Sequence, residues 1–234
     1  MAGQASTAAG RSKRRTRDSM KSDLLTAAMR LLEAEGPSAL QARTVATAAG
    51  TSTQSLYTVF GGTPGLLEAL VAHGFRDFGS TVGSVPETED PVADHFAKGW
   101  TYCDWAFAHP QLYRLMFGLT GGALSPHTGV EQAVGGALKT FPDGRAAMRV
   151  MTRSIERIIT SGRVPPADVA AIAGQFLSAT HGMVLLTIAG EFDKEMGLHV
   201  LGELAVTLFI GLGDKPARVH RSLESAIRTR FPDI

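Results

Sequence analysis

One short segment, residues 51–60, combines hydroxyl and amide side chains without a charge. In a helix, Leu56 and Phe60 would share the inward face, because residues four apart lie one above the other. The outward face would then carry Thr53, Gln54, Ser55, Tyr57 and Thr58. A Gln amide can pair with N6 and N7 of adenine, Thr methyls can touch thymine methyls, and hydroxyls can reach phosphates. The segment is therefore a candidate for reading the major groove of DNA; the alternative is an ordinary polar surface.

Three short helices are predicted to hold this segment. The first begins at Asp18 and stops at Gly36-Pro37, and the second follows Leu40 and ends at a bend on Gly50. Thr51 or Ser52 caps the third helix. Small side chains let the second helix lie close to its neighbours: Ala46, Ala48 and Ala49. Two short helices joined by a glycine turn are typical of the helix-turn-helix, whose second helix enters the major groove.

Charge is divided unevenly along the chain. Residues 1–64 carry eight Lys plus Arg against four Asp plus Glu, net +4, and residues 65–234 carry fifteen against eighteen, net −3. Residues 1–17 are predicted to form a basic, disordered tail. The basic end is where a polyanion would dock. Outside the third helix, the residues predicted to contact DNA are Arg14, Arg15, Lys21, Arg43, Thr44, Ser52 and Thr63.

The rest of the chain also has helical patterns, separated by Gly and Pro. Helices are predicted at 64–80, 90–108, 111–118, 128–139, 143–161, 166–190, 194–212 and 215–229. No alternation long enough for a sheet and no internal repeat is visible. The expected fold is all-α, with a helix-turn-helix domain over 18–63 and a larger helical ligand-binding and dimerisation domain over 64–234.

Composition argues against an enzyme and against a secreted protein. The seven His residues are scattered, and the sequence has no G-x-S-x-G elbow, H-E-x-x-H pair or P-loop. The single cysteine, Cys103, excludes an internal disulfide framework and a Cys-based zinc cluster. Residues 169–190 carry no Asp, Glu, Lys or Arg, but Gln175, Ser178 and His181 interrupt them, which favours a buried helix over a membrane span. We expect a cytoplasmic protein with no cofactor and no membrane insertion.

A series of residues with fixed spacing runs through positions 21–67. It comprises Leu24-Leu25-x-Ala27-Ala28, Leu31-Leu32 with Glu35-Gly36, Val45-Ala46-x-x-Ala49-Gly50, Ser52, Leu56-Tyr57-x-x-Phe60 and Leu66-Leu67. This series resembles the N-terminal domain of the TetR family of transcriptional repressors. The family usually has His just before the Phe and Lys three residues after it, where this chain has Val59 and Thr63. The phosphate contact of that Lys would pass here to Arg43, Lys21 or the tail.

A second likeness lies downstream. It consists of Trp100-x-Tyr102, the run from His109-Pro110 to Met116-Phe117, and His181-Gly182. These residues resemble one subclass of TetR C-terminal domains, whose usual Trp shortly before His-Gly is absent here.

The resemblance implies a ligand-responsive transcriptional regulator, of repressor type, that binds a palindromic DNA operator as a homodimer. The apolar helices 166–190 and 194–212 would pair across a two-fold axis, and an exposed apolar face independently favours such a partner. Helix 64–80 would transmit the ligand signal, because it joins both domains. The alternative is a lipid-binding or adaptor protein whose DNA-binding domain no longer engages DNA.

The resemblance also implies a pocket for an inducer in the second domain. Large, soft apolar side chains concentrate over residues 90–190, where they are either a pocket lining or ordinary core. The predicted ligand contacts are Phe96, Trp100, Met116, Phe117, Met148, Met151, Ile155, Phe176 and His181. Because residues 169–190 are uncharged, a long apolar molecule such as a fatty acid or fatty-acyl ester is expected.

His181 and a row of four arginines each allow two interpretations. His181 can bind a ligand head group or be a hydrogen-bonded core residue. The stripe Arg145, Arg149, Arg153 and Arg157 can be a solvated face or a partner for a ligand carboxylate.

Overall fold

The computed structural model describes residues 16–120 and 136–231, and this part of the chain is helical with no strand. In chain order the helices are α1 (Arg17–Glu35), α2 (Ala42–Ala48), α3 (Thr53–Phe60), α4 (Thr63–Gly83), α5 (Pro91–Ala108), α6 (Pro110–Met116), α7 (Ala137–Thr140), α8 (Pro142–Thr160), α9 (Val169–Ile188), α10 (Lys194–Gly211) and α11 (Pro216–Arg230). The all-α prediction is confirmed.

Some helix ends differ from the predicted bounds, and a capping side chain explains one of the differences. The helix predicted at 166–190 begins only at Val169, because the Asp168 carboxylate accepts the N–H groups of Ala170 (2.9 Å) and Ala171 (3.2 Å). A short 3-10 turn, Pro37–Ala39, was not predicted. Most of the helix predicted at 128–139, and the tail residues Arg14 and Arg15, lie outside the described residues.

Two apolar clusters form the core. The first holds α1 to α3 against α4 and α6, with Leu24, Leu56 and Leu67 fully buried. The second lies between α5, α8, α9, α10 and α11, around Phe96 and Phe209. Truncating one such side chain to Ala costs about 2 to 5 kcal/mol, so each cluster fixes the helices around it.

Helix α4 connects the first three helices to the rest of the molecule. Its N-terminal half belongs to the first core cluster through Leu66 and Leu67, and its C-terminal half lies along α8. At Gly79 the two backbones come so close that a Cβ would lie 3.3 Å from the Cα of Ala147. The two helices are therefore in close backbone contact at this point.

A buried ionic network joins the loops at one end of α5, α8, α10 and α11. Arg163, between α8 and α9, contacts Asp214 at 2.7 Å and Asp90 at 2.9 Å. Its guanidinium also donates to Ser222 at 3.1 Å, and Ser222 donates to Asp90 at 2.7 Å. Burial alone raises the pKa of Asp90, but the bonds from Ser222, the backbone and Arg163 outweigh it and leave that pKa below its usual value.

The arginine stripe of α8 is only partly a solvated face. Arg157 donates to the buried carboxylate of Asp94 at 2.8 Å and to the carbonyl of Thr88 at 2.8 Å. Arg145 donates to the carbonyls of Lys139 and Thr140 beyond the end of α7. For Arg157 the solvated interpretation is wrong, because Asp94 and Thr88 bind its guanidinium, whereas Arg145 remains exposed.

Candidate DNA-binding surface and ligand-binding interior

Helices α2 and α3 form a compact pair around a glycine turn. Gly50 has φ of 61°, a left-handed conformation that favours glycine, and the next N–H, of Thr51, donates to the carbonyl of Ala46 at 2.9 Å. Val45 of α2 and Leu56 of α3 are fully buried beneath the turn. The local sequence thus fixes α3 with its opposite side in solvent.

The exposed side of α3 carries the groups predicted to read DNA. Gln54, Tyr57 and Thr58 are exposed, and Tyr57 has 53% of its surface accessible. Ser52 caps the helix, since its Oγ accepts the N–H of Ser55 at 3.2 Å. The Thr58 hydroxyl donates to the carbonyl of Gln54 at 2.8 Å, so the methyl group and an oxygen lone pair remain available for a partner.

The other predicted DNA contacts vary in exposure. Arg43 and Thr44 are exposed in the first turn of α2, and Lys21 is exposed on α1. Thr53, Ser55 and Thr63 are half-buried at the starts of α3 and α4. Two exposed cations, Arg43 and Lys21, therefore lie on two of the helices that pack against α3.

Two glycines set the angle between α3 and α4. Gly62 has φ of 128°, and a Cβ there would lie 3.3 Å from Cε1 of Tyr57. A Cβ on Gly65 would lie 2.0 Å from the carbonyl oxygen of Phe60, a distance that no side chain tolerates. The C-terminus of α3 can lie this close to α4 only because these positions lack side chains.

The nine predicted ligand contacts are divided between the two core clusters. Phe96, Trp100 and Phe176 line a small cavity of about 20 Å³ between α5, α9 and α10. Ile155 is buried in the same cluster, with Met148 packed against it. Met116 and Met151 are buried in the first cluster, and Phe117 packs against that cluster beside His181.

His181 has a protein partner, which favours the core interpretation for it. Its Nδ1 lies 2.5 Å from the Tyr113 hydroxyl, which lies 2.6 Å from the hydroxyl of Tyr102. Burial lowers the pKa of His181 and raises the pKa values of both tyrosines, so the chain of hydrogen bonds is neutral. It connects α5, α6 and α9.

Two polar residues with partners far away in the sequence, His95 and Glu33, were not predicted. His95 lies in the second cluster with its Nδ1 2.9 Å from the Ser154 hydroxyl, and burial followed by the charge of Lys98 lowers its pKa to about 4. Glu33 of α1 accepts the backbone N–H groups of Gln111 (3.1 Å) and Leu112 (2.9 Å) at the start of α6. Neither has a local sequence signal, because their partners lie 59 and at least 78 residues away.

No metal centre is formed within residues 16–120 and 136–231, where no three His, Cys, Asp or Glu side chains are placed to share an ion. Among the described helices, α9 is long and apolar enough to cross a membrane, but core helices of soluble proteins can have the same length and composition.

Residues 24–70 match the model for bacterial regulatory proteins of the tetR family, and residues 96–228 match the model for the tetracyclin repressor-like C-terminal domain. No curated protein matches the chain.

Solved structures from three bacteria are similar over most of the chain. A protein of unknown function from Rhodococcus sp. RHA1 has 26% identity and a TM-score of 0.67, covering 87% of this chain and 100% of its own. A putative tetR family transcription regulator from Shewanella sp. PV-4 has 18% identity and a TM-score of 0.59, covering 85% and 98%. The fatty acid degradation regulator FadR from Bacillus halodurans has 14% identity and a TM-score of 0.64, covering 87% and 100%.

Proposed function

The chain belongs to the TetR family of ligand-responsive transcriptional regulators, and on this premise we propose that it is a repressor that a long apolar ligand releases from its operator. Members of this family are DNA-binding regulators, not enzymes. The observation that carries the proposal is the uncharged, exposed face of α3, with Gln54 and Tyr57 held outward over a buried Leu56. The protein would act in the cytoplasm, where its operator lies.

A homodimer through α9 and α10 is part of the proposal. These helices expose large apolar side chains, with accessible fractions of 44% for Leu186, 50% for Met196 and 42% for Leu204. Of the 18 consecutive residues that form the most apolar part of α9, only 33% are buried within the chain. Apolar surface of this kind is costly to leave in water, so a second copy is the expected cover. Two copies would present two α3 helices to half-sites roughly 34 to 36 Å apart.

The ligand is proposed to be fatty-acid-like because the second core cluster is large and apolar. Its cavity of about 20 Å³ is too small for such a molecule, so side chains around Phe96 and Phe176 must move apart on binding. Burial of each methylene group would contribute about 0.8 kcal/mol before the cost of that opening. Mass spectrometry of solvent extracts and titration with fluorescent fatty acids test this; an extract without lipid and no binding would exclude the ligand class.

Two connections would carry the ligand signal to DNA. Helix α4 begins at the turn after α3 and lies along α8, and Glu33 holds the start of α6 to α1. The ligand would favour a conformation in which the two α3 helices are spaced wrongly for the operator, and so shift the population off DNA.

Salt-dependent DNA binding distinguishes this function from the alternative, a lipid-binding or adaptor protein that does not engage DNA. Val59 and Thr63, in place of the usual His and Lys, motivate that alternative. We expect the full chain to retard a duplex carrying a palindrome selected from the parent genome, with affinity that falls steeply as salt rises. No retardation of any selected duplex at low salt would refute the regulator.

Gln54→Ala is expected to relax sequence preference, because the Gln amide reads a base edge. The loss of binding free energy should be about 1 to 3 kcal/mol on the selected operator. It should be small on an operator in which the base pair read by Gln54 has already been changed. Tyr57→Phe is the matched control: loss of a phosphate contact should weaken all sequences alike and modestly. The check is titration of both variants against a set of single-substitution operators. Equal losses on every sequence for Gln54→Ala would contradict base reading.

Glu33→Ala is expected to lower the free energy of unfolding by about 1 to 2 kcal/mol, because it leaves two N–H groups at the start of α6 without their carboxylate. It should also change operator affinity, since α1 is no longer held to α6. Urea unfolding and operator titration measure the two effects. Glu35→Ala is the control, because Glu35 is exposed two residues further along the same helix. Identical behaviour of both variants would exclude this connection.

A further inference from the structure

An open groove lies between α10 and α11 and adjoins the small cavity in which the fatty-acid-like ligand is proposed to bind. Its volume is about 360 Å³, and its walls are the first half of α10 and the last half of α11. Trp100 of α5 forms part of the lining, with Leu198, Leu223 and Ile227. The groove is thus a mostly apolar trough large enough for a small molecule.

Gly202 keeps this groove open. A Cβ at Gly202 would have no atom within 4 Å, because the space beside it is empty. Gly202 and Trp100 also line the small cavity of about 20 Å³, so they stand between the groove and the core. A Cβ at this position would enter the open space without touching a neighbour.

Acidic charge along one wall is unbalanced. Glu195, His199 and Glu203 follow each other at four-residue spacing and line the groove from the same side of α10. Neither glutamate forms an ion pair with any residue in 16–120 or 136–231. The one cation in the lining, Arg230, is already neutralised, because it donates to both carboxylate oxygens of Asp104 at 2.9 and 3.0 Å.

We propose that this groove binds a small amphipathic amine. Its apolar body would lie against Trp100, Leu198 and Ile227, and its ammonium group would lie between the carboxylates of Glu195 and Glu203. A carboxylate of the same length would meet like charge on this wall, and an alcohol would lack the electrostatic attraction. The site therefore selects for positive charge.

Calorimetric titration of the full-length protein with decylammonium, decanol and decanoate tests the selection, because the three share one chain length. In the groove, we expect decylammonium to bind about tenfold more tightly than decanol at low salt, with an advantage that shrinks as salt rises. Decanoate is also expected in the fatty-acid-like pocket, so its binding to the groove is measured as the affinity that changes in the Glu195→Gln/Glu203→Gln variant. That change should be absent or a gain, because the two glutamates repel a carboxylate. Equal affinities for decylammonium and decanol, or a loss of decanoate affinity in that variant as large as the loss of decylammonium affinity, would overturn the proposal.

Variants locate the site. Glu195→Gln/Glu203→Gln should remove the decylammonium advantage and leave decanol binding unchanged, whereas Glu224→Gln, an exposed glutamate on α11 outside the groove, should keep it. Gly202→Leu should weaken both probes at least about tenfold by filling the groove. A decylammonium advantage over decanol that survives the double Gln variant, or undiminished binding of both probes to Gly202→Leu, would refute the assignment. Conversion of Gly202→Leu from dimer to monomer in sedimentation would show that a second copy occupies the groove, and would also refute it.

Discussion

After replacement of Arg163 by Met, the free energy of unfolding is expected to fall by about 3 to 5 kcal/mol. Arg163 is 7% exposed and Asp214 is 4% exposed, so the aspartate would become a buried charge without its cation. The change also removes the 2.9 Å ion pair to Asp90 and the bond to Ser222. Because these partners come from the loops before α5 and α11 and from α11 itself, the loss should loosen one end of the ligand-binding domain. Chemical denaturation followed by circular dichroism measures it.

The control for this prediction is Arg228→Met. Arg228 and Glu224 form an exposed pair at 4.0 Å on α11, with side-chain accessibilities of 71% and 64%. Such a pair contributes at most about 0.5 kcal/mol, so its loss should barely change the unfolding curve. Should both variants unfold at the same denaturant concentration as the parent protein, the network around Arg163 would have no structural role.

Gly65→Ala is expected to reduce operator affinity by more than about tenfold and to lower the free energy of unfolding by about 1 to 3 kcal/mol. The new Cβ would lie 2.0 Å from the carbonyl oxygen of Phe60, which is backbone and cannot rotate away. The end of α3 must therefore shift relative to α4. Since α4 connects α3 to the rest of the chain, the α3 helices of a dimer would lose their spacing. Operator titration and thermal unfolding of the same sample check both effects.

Gly99→Ala provides the comparison for this helix-glycine substitution. Gly99 lies inside α5, and a Cβ there would have no atom within 4 Å. Alanine is the better helix former, so this variant should be neutral or slightly more stable and should bind the operator as the parent protein does. An operator affinity for Gly65→Ala equal to that of Gly99→Ala would show that the close approach of α3 and α4 does not orient the DNA-binding surface.

The sequence was sufficient to predict the helix-turn-helix and most helix bounds, because the relevant interactions are local. The bend at Gly50, the Ser52 cap and the burial of Leu56 all lie within a few residues of each other. Helical periodicity then decides which side of α3 faces solvent. The choice of Gln54 and Tyr57 as outward residues needed no knowledge of distant contacts.

Packing between helices could not be predicted in the same way. Helices α9 and α10 are apolar on nearly every side, so their sequence does not reveal which side lies in the core and which remains open. The division of the predicted ligand contacts into two clusters, and the groove beside Gly202, follow from how α5, α10 and α11 cross.

The polar contacts show the same limit. The four-residue spacing of the arginines on α8 suggests one solvated face, yet Asp94, 63 residues before Arg157, binds the Arg157 guanidinium. The partners of Glu33 and His95 are similarly remote in sequence. By itself, the sequence determined the helices and the side of α3 that faces solvent, and its resemblance predicted the family. Only the tertiary structure decided which charged groups are paired and which space stays open, because those depend on contacts between residues far apart in the chain.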